Sequence, residues 1–412
     1  PPRSPRRRHP QRHHAGRCAA PAEHSPNSPP LRHSRTTLSV VRRHVWVGSL
    51  AAAIVVASPM IGGADSEKAQ EESPSAATTA LATGAAIVPG VLLHGSGLYV
   101  AGDTRGASRL LAIEGMGLGL LVAGGVPLGL SGASRRLTWP AVPMVVSGLG
   151  LFTVSWLADI YGASGLSEVS GAAPRPAPME FDLGYAYVRD VHFAYDHFSV
   201  ASARLRWDRV GIEPTAWIAV GADNQRLRLR SSYRLIGATP TQLLDDGSYL
   251  DVAGAATFHR YGDEGFDTRL AELEIAGRLD LLHLSPRLRG SYIELSTGFG
   301  LEWFHYQIAG TAPRVQDDVF SLLLGRFSLG MRLGEPGGVF GELELGYDHR
   351  RDDFAAGFST AVSGSGFGGH FGASGELFLG DAWPSWGVRT EVWFGGAHVY
   401  RLSLVRRLGG LW

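Results

Sequence analysis

The stretch Gln225–Gly237 reads QRLRLRSSYRLIG, with Arg226, Arg228, Arg230 and Arg234 on one parity and Leu227, Leu229, Tyr233 and Leu235 on the other. Successive side chains of a strand point to opposite faces, so this period of two makes one apolar row and one cationic row. A helix would need a period of about 3.6, which the stretch lacks. Two kinds of structure use such a strand. A soluble sandwich turns the apolar row inward and the charges to water, whereas a transmembrane barrel turns the apolar row to lipid and the charges to its lumen. The stretch by itself leaves both open.

The alternation continues from residue 179 to the end. Apolar residues recur at every second position at Phe181, Leu183, Tyr185 and Tyr187 and again at Ala201, Ala203, Leu205 and Trp207. Further rows are led by Ile212, Leu250, Ala271, Ile293, Val319, Val339, Phe367, Trp386 and Tyr400. With the opening stretch they predict about twelve strands, ten and fourteen being the neighbouring counts. The opposite rows carry Glu272, Glu274, Glu294, Glu342 and Glu344 together with Arg278, Arg326, Arg332, Arg389 and Arg401.

Long alternating segments that end in aromatics such as Trp207, Trp303 and Tyr400 predict a mainly β fold, a transmembrane antiparallel up-and-down barrel over 179–412. The links QIAGTAPRVQDD (307–318) and RRDDFAAGFSTAVSGSG (350–366) are expected outside, and DRVG (208–211), GEPGG (334–338) and DAWPS (381–385) at the periplasmic end. ATPTQLLDDGS (238–248) is long for a periplasmic turn.

The formal net charge is zero, but residues 1–64 hold ten arginines and one acid, Glu23. That leaves 28 basic residues against 37 acidic ones, a net of about −9, which argues against nucleic acid as a partner. Cys18 is the only cysteine, so no disulfide and no cysteine-based metal site is expected downstream, and neither a metal nor another cofactor is implied. Residues 41–64 have the parts of a secretory signal peptide: Arg42 and Arg43, an apolar run over 45–56, and small residues before a cut after Ala64. An uncleaved anchor is the alternative. Residues 1–40 are expected to be a disordered, non-native leader, 65–81 a disordered linker, and 166–178 a Pro-rich linker.

Between them, 82–165 is apolar and Gly-rich, and its segments 86–101, 109–131 and 139–160 read as helices of a hairpin-like region. Gly115, Gly117 and Gly119 are placed for close helix approach. Over 86–162 the segments HGSGLYVAGDTRG and WLADIYG resemble a small two-helix bacterial membrane module, on Tyr99, Gly102, Gly106, Trp156 and Asp159, with Leu98 where the module has a second aromatic. That resemblance implies packing within a membrane and no chemistry of its own. Glu114 and Asp159 lie inside these apolar segments, as functional acids or as hydrogen-bonding groups. The region is expected to pack against the barrel or its periplasmic mouth.

The chain ends YRLSLVRRLGGLW. Tyr400, Leu402, Leu404, Leu408 and Trp412 resemble the assembly signal of outer-membrane β-barrels of Gram-negative bacteria, which finish on an aromatic after alternating apolar residues; Arg406 and Gly410 depart from it. The resemblance implies the outer membrane of the cell envelope, lipid as surroundings and the barrel assembly machinery as partner. It names no activity. Arg226, Arg228, Arg230 and Arg234, with Glu272, Glu274, Glu294, Glu342 and Glu344, are then lumen-facing charges. They either select a small polar solute in a narrow, porin-like passage or pair with one another in a filled, structural barrel.

An inner-membrane anchor carrying a periplasmic β domain with a binding role is the alternative architecture. For an outer-membrane hydrolase acting at the rim, the candidates are Asp348, His349, Asp352 and Asp353 with Asp317 and Asp318, and, more weakly, His197 with Ser199. No catalytic set emerges from them, and a non-enzymatic barrel is expected.

Overall fold

The computed structural model describes residues 75–132, 134–170, 176–190, 197–241, 247–261, 266–308, 314–334, 338–349, 369–380, 384–395 and 397–409. The expected leader and signal peptide, the first ten residues of the 65–81 linker, and Trp412 lie outside the described residues.

Twelve strands follow from Met179 onward: β1 (Met179–Asp190), β2 (His197–Trp207), β3 (Val210–Ala219), β4 (Gln225–Gly237), β5 (Tyr249–Arg260), β6 (Phe266–Asp280), β7 (Ser291–Ile308), β8 (Arg314–Gly334), β9 (Val339–Asp348), β10 (His370–Leu379), β11 (Ser385–Phe394) and β12 (Ala397–Leu408). Each pairs antiparallel with its sequence neighbours, and β1 closes on β12 from Met179↔Leu408 to Asp190↔Ala397. Closure leaves no free edge, which is the condition for strands to sit in hydrocarbon. The 238–248 link joins β4 to β5 without altering the count of twelve.

Exposure along β4 alternates as its sequence does. Leu227, Leu229, Tyr233 and Leu235 are exposed on the outer surface, and the four arginines between them are turned inward. Phe181, Leu183, Phe299, Trp303, Leu345, Phe371, Val388 and Leu402 share that exposed apolar surface. A soluble domain would bury these rows, so the barrel, and not the sandwich, is the structure that the alternation specifies. One expected link is shorter: β7 and β8 stay paired out to Ile308↔Arg314, so most of the 307–318 segment is strand. Its polar residues suggest a loop, but pairing with a partner strand satisfies their backbone equally well.

The helices differ from the sequence expectation in their limits. Helix α1 (Ala76–Ile87) starts ten residues before the expected 86 because Ser75 Oγ accepts the Thr78 N–H at 3.2 Å and caps an Ala-rich run. The span 86–101 is not one helix. Pro89 ends α1, and Gly95, at φ +91°, turns the chain into the short α2 (Ser96–Val100). Helix α3 (Thr104–Leu130) begins where Asp103 Oδ1 accepts the Gly106 N–H at 2.8 Å, and α4 (Arg135–Ala163) completes a hairpin. Both are long and apolar enough to cross a membrane.

The hairpin closes tightly at Gly117 and Gly148, where a Cβ on either would lie within 3 Å of the other helix's backbone. Gly115 and Gly119, expected to share in this approach, face open space. The hairpin sits on the outer surface of β7 and β8. Leu98, Leu110, Val154 and Ala158 form one buried cluster with Ile293, Phe327 and Leu329, residues of the row that elsewhere is exposed. The β6–β7 link ties down the near end. Arg109 donates to the carbonyls of His283 and Leu284 at 3.0 and 2.8 Å, and the Tyr161 hydroxyl donates to that of Arg289 at 2.6 Å.

Gly150 sets how closely α4 approaches, since a Cβ there would stand 2.7 Å from the Phe327 ring. Gly150→Leu is expected to push α4 off the barrel at a cost of about 1–3 kcal/mol. The measurement is protease sensitivity of the hairpin, with heat-modifiable gel migration of the barrel unchanged. Equal protection of variant and parent would contradict this packing.

Candidate functional site

The inner surface of the barrel carries most of the ion pairs among the described residues, and its chemistry starts from β4, β5 and β6. The inward residues of β5 beside Arg228 and Arg230 are Thr257 and Ala255, both small. An arginine is long enough to reach over such a strand, so the β4 cations meet acids two strands away. Arg228 Nη2 lies 2.7 Å from Glu272 Oε2, and Arg230 Nη2 lies 2.7 Å from Glu274 Oε1. Arg234 holds Asp251 of β5 with both arms, at 2.9 and 3.0 Å. Arg226, the fourth of the series, lies against His259 in register and is 8% exposed.

The other expected acids join a second set. Glu294 receives Arg278 at 3.2 Å and the Tyr249 hydroxyl at 2.8 Å. Glu342 receives Arg278 at 3.3 Å and the Tyr292 hydroxyl at 3.0 Å, while Glu344 pairs with Arg326. Tyr292 reaches this position because Gly330 faces it, and a Cβ there would overlap the ring.

Sequence reasoning did not single out the densest node, Arg389. Its guanidinium contacts Glu180 at 2.5 Å and Asp182 at 2.9 Å across the Ser403 position of β12, and Glu376, its register partner on β10, at 2.8 Å. Arg407 and Arg401 of the intervening β12 bind the same acids, Glu180 at 3.3 Å and Asp182 at 2.7 Å. Alternation gave the parity of these residues, but partner choice depends on barrel curvature, which a single sequence does not show.

Toward the end that carries the 191–196 and 349–369 links, the inner surface changes character. Ala186, Val188, Phe198, Val200, Trp217, Tyr261, Phe304 and Val399 point inward there and form a buried apolar cluster, with Phe198 edge-on to Trp217 at 6.0 Å. Leu270, Leu322 and Leu324 form a separate buried apolar cluster on the inner surface. Buried Asn224, Arg226, His259 and Glu302 share this half of the lumen with the apolar cluster around Phe198. The other half holds a cavity of about 510 Å³, walled by the ion pairs and reaching Pro176, Ala177 and the β2–β3 turn at Asp208 and Arg209.

The remaining expected residues fall as follows. Tyr400, Leu402 and Leu404 are exposed on the outer row of β12, and Leu408 pairs with Met179. Arg406, a departure from the assembly signal, lies on the same outer row and stacks over Trp386 at 4.5 Å. His349 Nδ1 is 2.7 Å from the Tyr347 hydroxyl, and Asp348 stands opposite Arg326 in register. Asp352 and Asp353, and the side chains of Asp317 and Asp318, lie outside the described residues. His197 contacts Tyr185 and Tyr187 on the outer surface. Glu114 and Asp159 are both buried and accept backbone N–H groups, Glu114 from His94 at 2.9 Å and Asp159 from Gly97 and Leu98 at 3.0 and 2.9 Å. Among the described residues no cluster of three or more metal-ligand side chains occurs.

Removing Arg228 tests the β4–β6 bridge. Arg228→Ala leaves Glu272, whose side chain is 2% exposed, without this cation. The expected loss is about 2 kcal/mol, because the arginine itself is partly solvated. It is read as a lower midpoint of heat-modifiable unfolding.

A closed antiparallel barrel with an apolar exterior and a charged interior defines an outer-membrane β-barrel. No protein-family model matches the chain, and no curated protein does. Among solved structures it is similar to the translocator domain of the autotransporter NalP from Neisseria meningitidis, at 9% identity over 57% of this chain and 90% of that one, TM-score 0.35. It is also similar to the β domain of the Bordetella autotransporter BrkA, at 14% over 57% and 100%, TM-score 0.33, and to a NanC porin, at 10% over 55% and 100%, TM-score 0.33.

Proposed function

We propose that this is a non-enzymatic outer-membrane barrel whose lumen is held closed by its own side chains: an ion-pair network in the periplasmic half and an apolar core in the external half. The short β2–β3 turn and both ends of the barrel sequence lie at one end, which suits the periplasmic side. The observation that carries the reading is the cluster around Phe198 and Trp217, because water and ions do not cross a packed apolar core. Lipid contacts the outer rows, and the barrel assembly machinery is the partner that the Tyr400, Leu402, Leu404 and Leu408 row would engage. The helical hairpin takes the place of lipid on β7 and β8.

A narrow passage for a small polar solute is the second reading, favoured by the cavity of about 510 Å³ at the periplasmic end. Planar-bilayer recording of the full chain separates the two. The closed reading expects silent membranes with the parent and discrete openings with Phe198→Ala/Trp217→Ala, which empties the centre of the apolar half. Sustained openings from the parent would refute closure and leave the passage.

A further inference from the structure

Nine of the eleven arginines lining the cavity have a carboxylate partner, and the remaining two stand together at the β2–β3 turn. Arg206 donates to the Ala177 carbonyl at 2.8 Å, and Arg209 donates to the Leu235 carbonyl at 3.0 Å. Among the described residues neither makes a direct ion pair, and Glu180 and Glu213 act on Arg206 only through space. The acid between them in sequence, Asp208, also lines the cavity but is engaged by hydroxyls. Its Oδ1 accepts the hydroxyls of Thr239 and Thr241 at 3.3 and 3.1 Å, which pins this turn to the 238–248 link. Asp182, Glu272 and Asp280, which pair with three of the lining arginines, stand behind the wall, so the cationic character of the mouth rests on Arg206 and Arg209.

We propose that the periplasmic mouth of the lumen is a binding site for a small anionic organic solute, one carboxylate or phosphate ester on a hydroxyl-bearing body, with Arg206 as its principal contact and Arg209 as the outer one. A guanidinium whose only hydrogen bond goes to a backbone carbonyl keeps donors free for an oxyanion, and its planar fork suits two-point binding. The rest of the wall consists of charges already paired, which offer hydrogen bonds to hydroxyls but no further net charge. A volume of about 510 Å³ is within the range of small-ligand sites and exceeds that of a bare ion. The proposal deepens the closed-lumen reading by giving its open half an occupant, yet it does not require the external half to stay shut.

The test is calorimetric titration of the full chain in detergent with glucose 1-phosphate, inorganic phosphate and glucose. The expected result is saturable binding of glucose 1-phosphate, weaker binding of inorganic phosphate and none of glucose. Arg206→Gln is expected to weaken glucose 1-phosphate at least tenfold, Arg209→Gln less, and Arg189→Gln, at the opposite rim, not at all. If Arg206→Gln abolishes heat-modifiable migration, Arg206→Lys serves in its place. Lysine keeps the charge but has no planar fork for two-point binding, so the expected affinity is still below that of the parent. Equal binding by parent and Arg206 variants, or the absence of saturable binding by the parent, would overturn the site. Bilayer conductance judges the closed-lumen reading separately, so either idea fails without the other.

Discussion

Arg389→Ala is expected to destabilise the barrel by about 3–5 kcal/mol, more than any other single truncation of the lumen. Arg389 is 8% exposed and neutralises Glu180, Asp182 and Glu376, of which Glu180 and Asp182 are themselves buried. The cost arises from what stays behind. Burying a carboxylate without a cation forfeits its hydration and gains nothing in exchange. Arg407 and Arg401 remain beside Glu180 and Asp182 and limit the loss, so the barrel should still assemble. A double-mutant cycle with Glu376→Gln measures the coupling. The double variant is expected to lose clearly less than the sum of the singles, since the glutamine no longer needs the cation. Strict additivity in urea unfolding from liposomes would mean that Arg389 contributes no coupling energy.

What was legible in the sequence was the parity of each strand. In β4, β6 and β9 the inward positions among the described residues are charged or small apart from Leu270 and Phe340, so a period of two separates the faces. The external half of the lumen was not legible, and the reason is visible in YAYV at 185–188 and in WIAV at 217–220. Tyr187 faces out and Ala186 and Val188 face in, yet both faces are apolar, so the contrast that alternation depends on disappears. The pairing of Arg228 with Glu272 was hidden for a different reason: it skips β5, and only the small inner row of that strand allows it. Docking of the hairpin on β7 and β8 was legible only as packing against the barrel. The choice of sector rests on shape at Gly150, Phe327 and Gly325, where no periodicity records it.

Leu229→Arg should have an effect of comparable size through the opposite surface. Leu229 is 52% exposed on the outer row, midway along β4, with Pro214 and Ala256 as its cross-strand neighbours. In water an exposed leucine costs little to replace, and the substitution would pass almost unnoticed. In lipid a guanidinium near the midplane costs roughly 2–4 kcal/mol, because no acid on the neighbouring outer positions compensates it. Arg228, one residue away, already lives inside the barrel on an ion pair, so the same side chain is stabilising on one face and disruptive on the other. The expected result is reduced folded yield in the membrane fraction and a lowered midpoint of heat-modifiable unfolding. Leu229→Ala, by contrast, should assemble like the parent because it removes apolar surface without adding charge. A Leu229→Arg barrel that assembled and melted like the parent would place the outer row in water, and the transmembrane reading of β4 would fall with it.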